Sequence, residues 1–130
     1  MASRIRVRDR GYNRTKSRLA KLKAKPIKMT VGVHNDAGTY PNGTPVVEVA
    51  TIQEFGIGVP AQPFILPVFD ADRSQHKAML RRVAEGAVRR GDNPVVALKK
   101  LGDSMVERMQ RRAPVKTGKL RGSIKRKVER

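Results

Sequence analysis

Cysteine and tryptophan are absent from the 130 residues. Without thiols the chain can hold neither a disulfide framework nor a thiolate metal site. Aromatic side chains are almost as scarce, three Phe and two Tyr, and hydrophobic residues make up only 38%. That content lies below the ordinary globular range, so part of the chain is expected to be solvated arm or partner-facing surface. No apolar run approaches the length of a bilayer span. The N-terminal "MASRIRVRDRGYNRTKSRLAK" is basic without an apolar core, so neither a membrane helix nor a secretion signal is expected. Carboxylates are few as well: eleven against twenty-nine Lys and Arg, a formal charge of +18.

The cations that dominate the composition are unevenly placed. Residues 1–28 carry eleven Lys/Arg against Asp9, and residues 108–130 carry ten against Glu129, so the middle of the chain is close to neutral at −1 (18 less 19). From Met29 to Asp72 there is no basic residue at all. Charge runs often do no more than solvate a surface. Two cationic ends around a cation-free centre ask for a partner as well. A length of 130 residues fits one domain, which buries about two-thirds of the surface its unfolded chain exposes.

Seven elements can be read along the chain. Arg4-Ile5-Arg6-Val7-Arg8 alternates with the period of an edge strand. Asn13 can cap a short helix to about Lys25 that offers Leu19, Ala20 and Leu22 to a core. Pro26 stops it, and "IKMTVGV" then places Ile27, Met29, Val31 and Val33 on one face of a strand. "HNDAGTYPNGT" reads as an exposed loop or a long hairpin. Thr44 as N-cap, Pro45 at the first helical position and a left-handed Gly56 frame a helix over 45–55, with a strand as the alternative for its Val/Ile/Thr content. "GIGVPAQP" is an ordered loop or short edge. Residues Phe69, His76, Met79, Leu80, Val83, Ala84, Ala87 and Val88 recur at helical spacing from about Pro67 to Arg89, and Gly91 closes that helix. Asn93 and Pro94 open another, with Leu98, Leu101, Met105 and Met109 facing the core until Pro114. A final strand aligns Ile124 and Val128.

Catalytic patterns are not supported. His34 and His76, the only histidines, match no zinc spacing. Asp70 and Asp72, two positions apart on a helix, do not face each other and are explained as helix-start carboxylates. "KTGK" lacks the rest of a phosphate loop because Leu120 follows Lys119. The chain reads as a non-enzyme without metal or cofactor. A basic, sequence-independent nucleic-acid-binding protein is the alternative that the charge supports. The five aromatics (Tyr12, Tyr40, Phe55, Phe64, Phe69) are too scattered for a base-stacking platform.

Three stretches taken together carry a resemblance. "VVEVATIQEFGIGVPAQPFILPVFD", the long helical stretch after it, and "APVKTGKLRGSIKRKV" resemble the small tail-completion, or neck, proteins of tailed bacteriophages. That family typically shows A-x-x-x-E-F-G, then P-A-R-P-F-L leading into a helix, then T-G-x-L-x-x-S-I near a strand. The matching residues are Ala50, Glu54, Phe55 and Gly56; Pro60, Ala61, Pro63 and Phe64; and Thr117, Gly118, Leu120, Ser123 and Ile124. The likeness spans about residues 27–128. Gln62 stands where the family usually has Arg, and Lys116 where an acidic residue often precedes the T-G.

The resemblance implies a single α+β domain over residues 1–130: a small antiparallel or mixed sheet packed against two longer helices, with basic N- and C-terminal segments. It implies a structural virion protein, assembled in the host cytoplasm into a hexameric ring at the head-proximal end of a tail. Such a ring completes the tail and joins it to the connector, with portal-side and tail-tube proteins as partners and a channel for DNA. In that setting Phe55, Phe64 and Phe69 would anchor the Pro-rich loop, and Gly56 and Gly58 would give a backbone path that a Cβ would obstruct. The loop could equally be an intramolecular cover for the sheet. As an interface, it would place Asp36, Glu48 and Glu54 within reach of a neighbour's basic arm: Arg4, Arg6, Arg8, Arg10 and Arg14 from one end, or Arg111, Arg112, Lys125, Arg126 and Lys127 from the other. Most of the cations are expected on outer or partner-facing surfaces, with non-specific DNA contact.

Overall fold

The strand expected in "IKMTVGV" and the final expected strand pair with each other. In the structure, a computed structural model that describes residues 11–114 and 118–129, β1 (Lys28–Val33) runs antiparallel to β2 (Ile124–Glu129). Met29 stands opposite Val128, Val31 opposite Arg126 and Val33 opposite Ile124. A two-stranded ribbon is marginal alone and needs a packing partner. The partner is α5 (Pro94–Arg112), whose buried stripe of Leu98, Leu101, Met105 and Met109 lies against the sheet. Gly102 sits in the same stripe, and a Cβ there would come within 2.7 Å of Met29 Sδ, so its bare backbone sets the helix–sheet distance.

Helix α5 starts where its sequence says it should. Pro94 occupies the first turn, and the Asn93 side chain accepts the Val95 N–H at 3.0 Å. Against its other side packs α4 (Arg73–Arg89), so the two long helices are stacked on the sheet rather than laid side by side across it. The expected continuous helix from Pro67 is two pieces, α3 (Leu66–Ala71) and α4, broken at Asp72. At the break Arg108 of α5 binds the Asp72 carboxylate and, at 3.0 Å, His76 Nε2. Arginine only donates, so Nε2 accepts and His76 is neutral with its proton on Nδ1.

Helix α1 (Tyr12–Ala24) has no buried residue. Leu19 and Ala20 are exposed and only Leu22 is half-buried, so the expected three-residue core contribution shrinks to one. Gly11, not Asn13, is its N-cap residue. What fixes α1 is Arg18, whose guanidinium donates to the carbonyls of Val88 (3.4 Å) and Arg89 (3.0 Å) at the C-terminal end of α4. The expected strand at 4–8 lies outside the described residues.

Helix α2 (Val46–Phe55) has Pro45 as its cap residue rather than its first helical one, and Thr44 makes no cap. Its C-terminus is the expected left-handed glycine, Gly56 at φ 71°. The turn-rich stretch before it contains a short 3-10 turn, Asn35–Ala37, and is closed like a hairpin by the Thr39–Pro45 bridge. A one-turn helix, α6 (Lys119–Gly122), precedes β2. The C-terminal basic segment is therefore part of the fold. The fully buried side chains are Val46, Phe64, Met109 and Ile124, one each from α2, the loop after it, α5 and β2.

Candidate functional site

The cation-free segment is closed by a carboxylate. Val46, Ala50 and Glu54 recur every four residues on the buried stripe of α2, so Glu54 points inward and is only 7% exposed. Its Oε2 accepts the N–H groups of Phe64 (2.8 Å) and Ile65 (3.0 Å), and Oε1 accepts that of Leu66 (2.7 Å). Those donors lead into α3, where nothing else would satisfy them. The carboxylate also sits at the positive end of that helix. Charge-assisted bonds of this kind are about twice as strong as neutral ones.

The chain between Glu54 and Phe64 folds back on α2 to make this possible. Gln62 N–H donates to the Gln53 carbonyl at 2.8 Å. A Cβ on Gly56 would lie 2.8 Å from the Ala61 nitrogen, so the turn needs glycine for space as well as for its left-handed φ. At Gly58 the space is open and only the positive φ of 74° is involved, which corrects the expectation that a Cβ would be obstructed at both glycines. Phe64 enters the core and Phe69 is half-buried, but Phe55 is 64% exposed and anchors nothing. Being next to the inward Glu54 on the helix, it is turned about 100° away from the core.

The folded-back loop forms one wall of a groove of about 710 Å³. The Tyr40–Thr44 turn, Val49 and Gln53 of α2, and Val59, Pro60 and Gln62 line one part of it; Pro114, Gly118 and Leu120 line the other. Among the described residues that line it, none has a charged side chain. At its edge Lys119 donates to the Thr39 carbonyl and lies 5.6 Å from the Tyr40 ring centroid. Exposed Phe55 and Ile57 adjoin this wall in the chain, and Val59, itself partly exposed, belongs to it.

The three motif stretches thus meet here. The first two are joined through Glu54, and the third reaches the groove through Gly118 and Leu120. Leu120, Ser123 and Ile124 are buried, and Ser123 Oγ donates to the Leu120 carbonyl at 2.6 Å. Pro60, Ala61 and Pro63 are exposed on the loop. Thr117 lies outside the described residues, as do Arg4, Arg6, Arg8 and Arg10.

The expectation that acidic groups await a neighbour's basic arm is corrected for two of the three named. Glu54 is occupied by backbone donors, and Asp36 receives Lys127 at 2.5 Å. Lys127's hydrogen bond holds the Asp36 carboxyl below its ordinary range. Glu48 is exposed on α2. Among the described residues six carboxylates are ion-paired within the chain: Asp36, Asp70, Asp72, Asp92, Asp103 and Glu107. Three of the expected arm cations are the partners in such pairs: Lys127, Arg126 with Asp103 at 2.8 Å, and Arg111 with Glu107 at 2.6 Å. Arg14, Arg112 and Lys125 are exposed.

The one cluster of polar groups that sequence reasoning missed is Asp72–Arg108–His76. Burial, and then the charge of Arg108, hold the His76 imidazole below its ordinary pKa, against the opposing pull of Asp72. The signal for it, residues 36 and 32 positions from Arg108, is long-range and has no local pattern. Among the described residues no group of three or more His, Cys, Asp or Glu side chains could hold a metal ion, and no helix is long and apolar enough to cross a membrane. Comparison with family models, curated proteins and solved structures finds no match.

Proposed function

We propose that this chain is a structural virion protein that forms a ring at the head-proximal end of a phage tail, completing the tail and joining it to the connector around a channel for DNA. The observation that supports this reading is the convergence of the three motif stretches on one uncharged groove. Copies carrying a charge of +18 repel one another over most of their surface. The groove and the neighbouring exposed Phe55, Ile57 and Val59 are where two copies meet with least repulsion and with apolar area to bury. In a closed ring that surface seats against a different face of the next copy. Apolar contact takes the place of the arm-to-acid pairing, because most of the acids are already used inside the chain.

Sedimentation velocity and negative-stain electron microscopy of the purified protein test the reading. A discrete annular particle is expected, and it should dissociate in the double variant Ile57→Glu, Val59→Glu. Material that remains a monomer at every ionic strength, together with virions that assemble normally when built from that variant, overturns it.

A further inference from the structure

Helices α1 and α4 lie antiparallel, with Arg18 beside the C-terminal end of α4 and Leu22 near its middle. Around that seam the helical period sorts the other cations of α1 into two rows. Arg14 and Lys21 share one flank at i and i+7, Lys16 and Lys23 share the opposite one at i and i+7, and Lys25 follows just past the helix end. On α4, Lys77 and Arg81 are one turn apart, and Arg82 and Arg89 are two turns apart. All nine are exposed, and none is in an ion pair with a described residue. Helix α1 contains no acid; on α4 the acid is Glu85, and the nearby Asp92 and Asp70 are held by Arg90 and Arg73.

Some cations elsewhere are neutralised within the chain, as Arg108, Arg111 and Arg126 show, while others, Lys99, Lys100, Arg112, Arg121 and Lys125 among them, are spread singly or in pairs over α5, α6 and β2. This face gathers nine such cations against the single acid Glu85, and its rows run about 6–11 Å at 1.5 Å per residue. We infer that the α1–α4 face is a binding surface for the phosphate backbone of duplex nucleic acid, engaged without regard to base sequence. A duplex presents one negative charge per ~1.7 Å of axis, a continuous line of counter-charge for such rows. Three of the five α1 cations are lysines, and Lys25 follows the helix; these are compact point charges that serve phosphate well and are depleted at protein–protein interfaces. Tyr12 is the sole aromatic on the two helices, so single-strand stacking has no platform. The inference goes beyond the ring reading and stands or falls apart from it.

The test is fluorescence anisotropy of the full chain with two unrelated labelled 30-base-pair duplexes, between ~50 and ~200 mM salt. Both duplexes should bind equally, with log K against log salt falling at a slope of about −4 or steeper, as for four or more phosphate contacts. Two variants read the face separately. One carries Lys16, Lys21, Lys23 and Lys25→Gln; the other carries Lys77→Gln, Arg81→Gln and Arg82→Gln. Glutamine keeps the helix propensity of the residues it replaces, and circular dichroism checks that the helices persist. Each variant should flatten the slope by about 1 for every phosphate it no longer engages. The control Lys99→Gln, Lys100→Gln, Arg121→Gln, which removes exposed cations elsewhere, should leave it in place. Equal flattening in the control, a wild-type slope shallower than about −1, or polyglutamate binding as tightly as duplex at the same ionic strength would each overturn the inference, the last in favour of an acidic protein partner.

Discussion

The half of the molecule from β1 to α3 and the face made by α1 and α4 solve the same problem, that of fixing a weak element, in opposite ways. The first has no cation after Lys28, its opening residue, and is closed by a buried carboxylate that receives three backbone donors. Its loop is tied back to α2 by the Gln62–Gln53 bond and to the start of α3 by Glu54. The second consists of a helix with no buried residue, held by one arginine on the carbonyl end of its neighbour and carrying five cations without an ion-pair partner among the described residues. Internal satisfaction makes the first region a rigid surface, whereas the second has charge left over for something outside the chain. An exposed 13-residue helix is marginal alone, so external contact is also its route to stability.

The largest effect is expected where the rigid half has a single point of failure. Glu54→Ala leaves three N–H groups beside the core without an acceptor, at ~1–3 kcal/mol for each that water cannot reach. We expect a loss of about 4 kcal/mol in urea-induced unfolding, a large part of a stability of ~5–15 kcal/mol. Glu54→Gln, which keeps one acceptor oxygen, should lose less than the alanine variant. If alanine costs under about 1 kcal/mol, the contrast between the two halves is wrong.

Next comes Gly56→Ala. The left-handed backbone costs ~1–2 kcal/mol for an L-residue, and contact with the Ala61 backbone adds to it. A loss of about 3 kcal/mol is expected, against about 1 kcal/mol for Gly58→Ala, which has the same φ problem and open space. Equal losses at the two positions would show that the folded-back path of the loop contributes nothing.

How far the sequence foretells this contrast depends on the range of the signal. The capped start of α5 and the glycine stop of α2 are local chemistry and are legible in Asn93-Pro94 and Gly56. The charge asymmetry is legible from position alone. Ranking hydropathy above hydrogen bonding makes Glu54 a surface acid and Phe55 an anchor, and the structure reverses both. The spacing Val46–Ala50–Glu54 carries the contrary signal, a carboxylate on an apolar stripe. The partner at the Asp72 break has no such local mark, since Arg108 reaches it from another helix.

That same cluster gives a pH-dependent way to sharpen the comparison. His76 is held neutral, with its folded pKa below the ordinary 6.5, so the unfolded chain binds more protons between the two values. Stability is therefore fully present above pH 6.5 and is lost as pH falls from there through the folded value. Thermal melts from about pH 8 to about pH 5 should show this decline, and His76→Leu should reduce it. A decline unchanged in that variant would assign the effect to other groups.

The smallest effect is expected at the seam where cationic strand and cation-free loop meet. Lys127 of β2 bonds Asp36 just after β1, and with the Asp36 side chain largely open to water and that of Lys127 more than a third exposed, little stability is at stake. What should move is the titration of Asp36, now held low chiefly by that hydrogen bond. In Lys127→Met the carboxyl, followed by NMR, should rise toward 3.8 while the melting temperature stays nearly fixed. In the parent the small contribution is present above 3.8 and fades as pH falls through the lowered value. A titration indifferent to Lys127 would mean that the two halves are joined at this seam by backbone pairing alone, and that the C-terminal cations are as unengaged by the chain as those of α1.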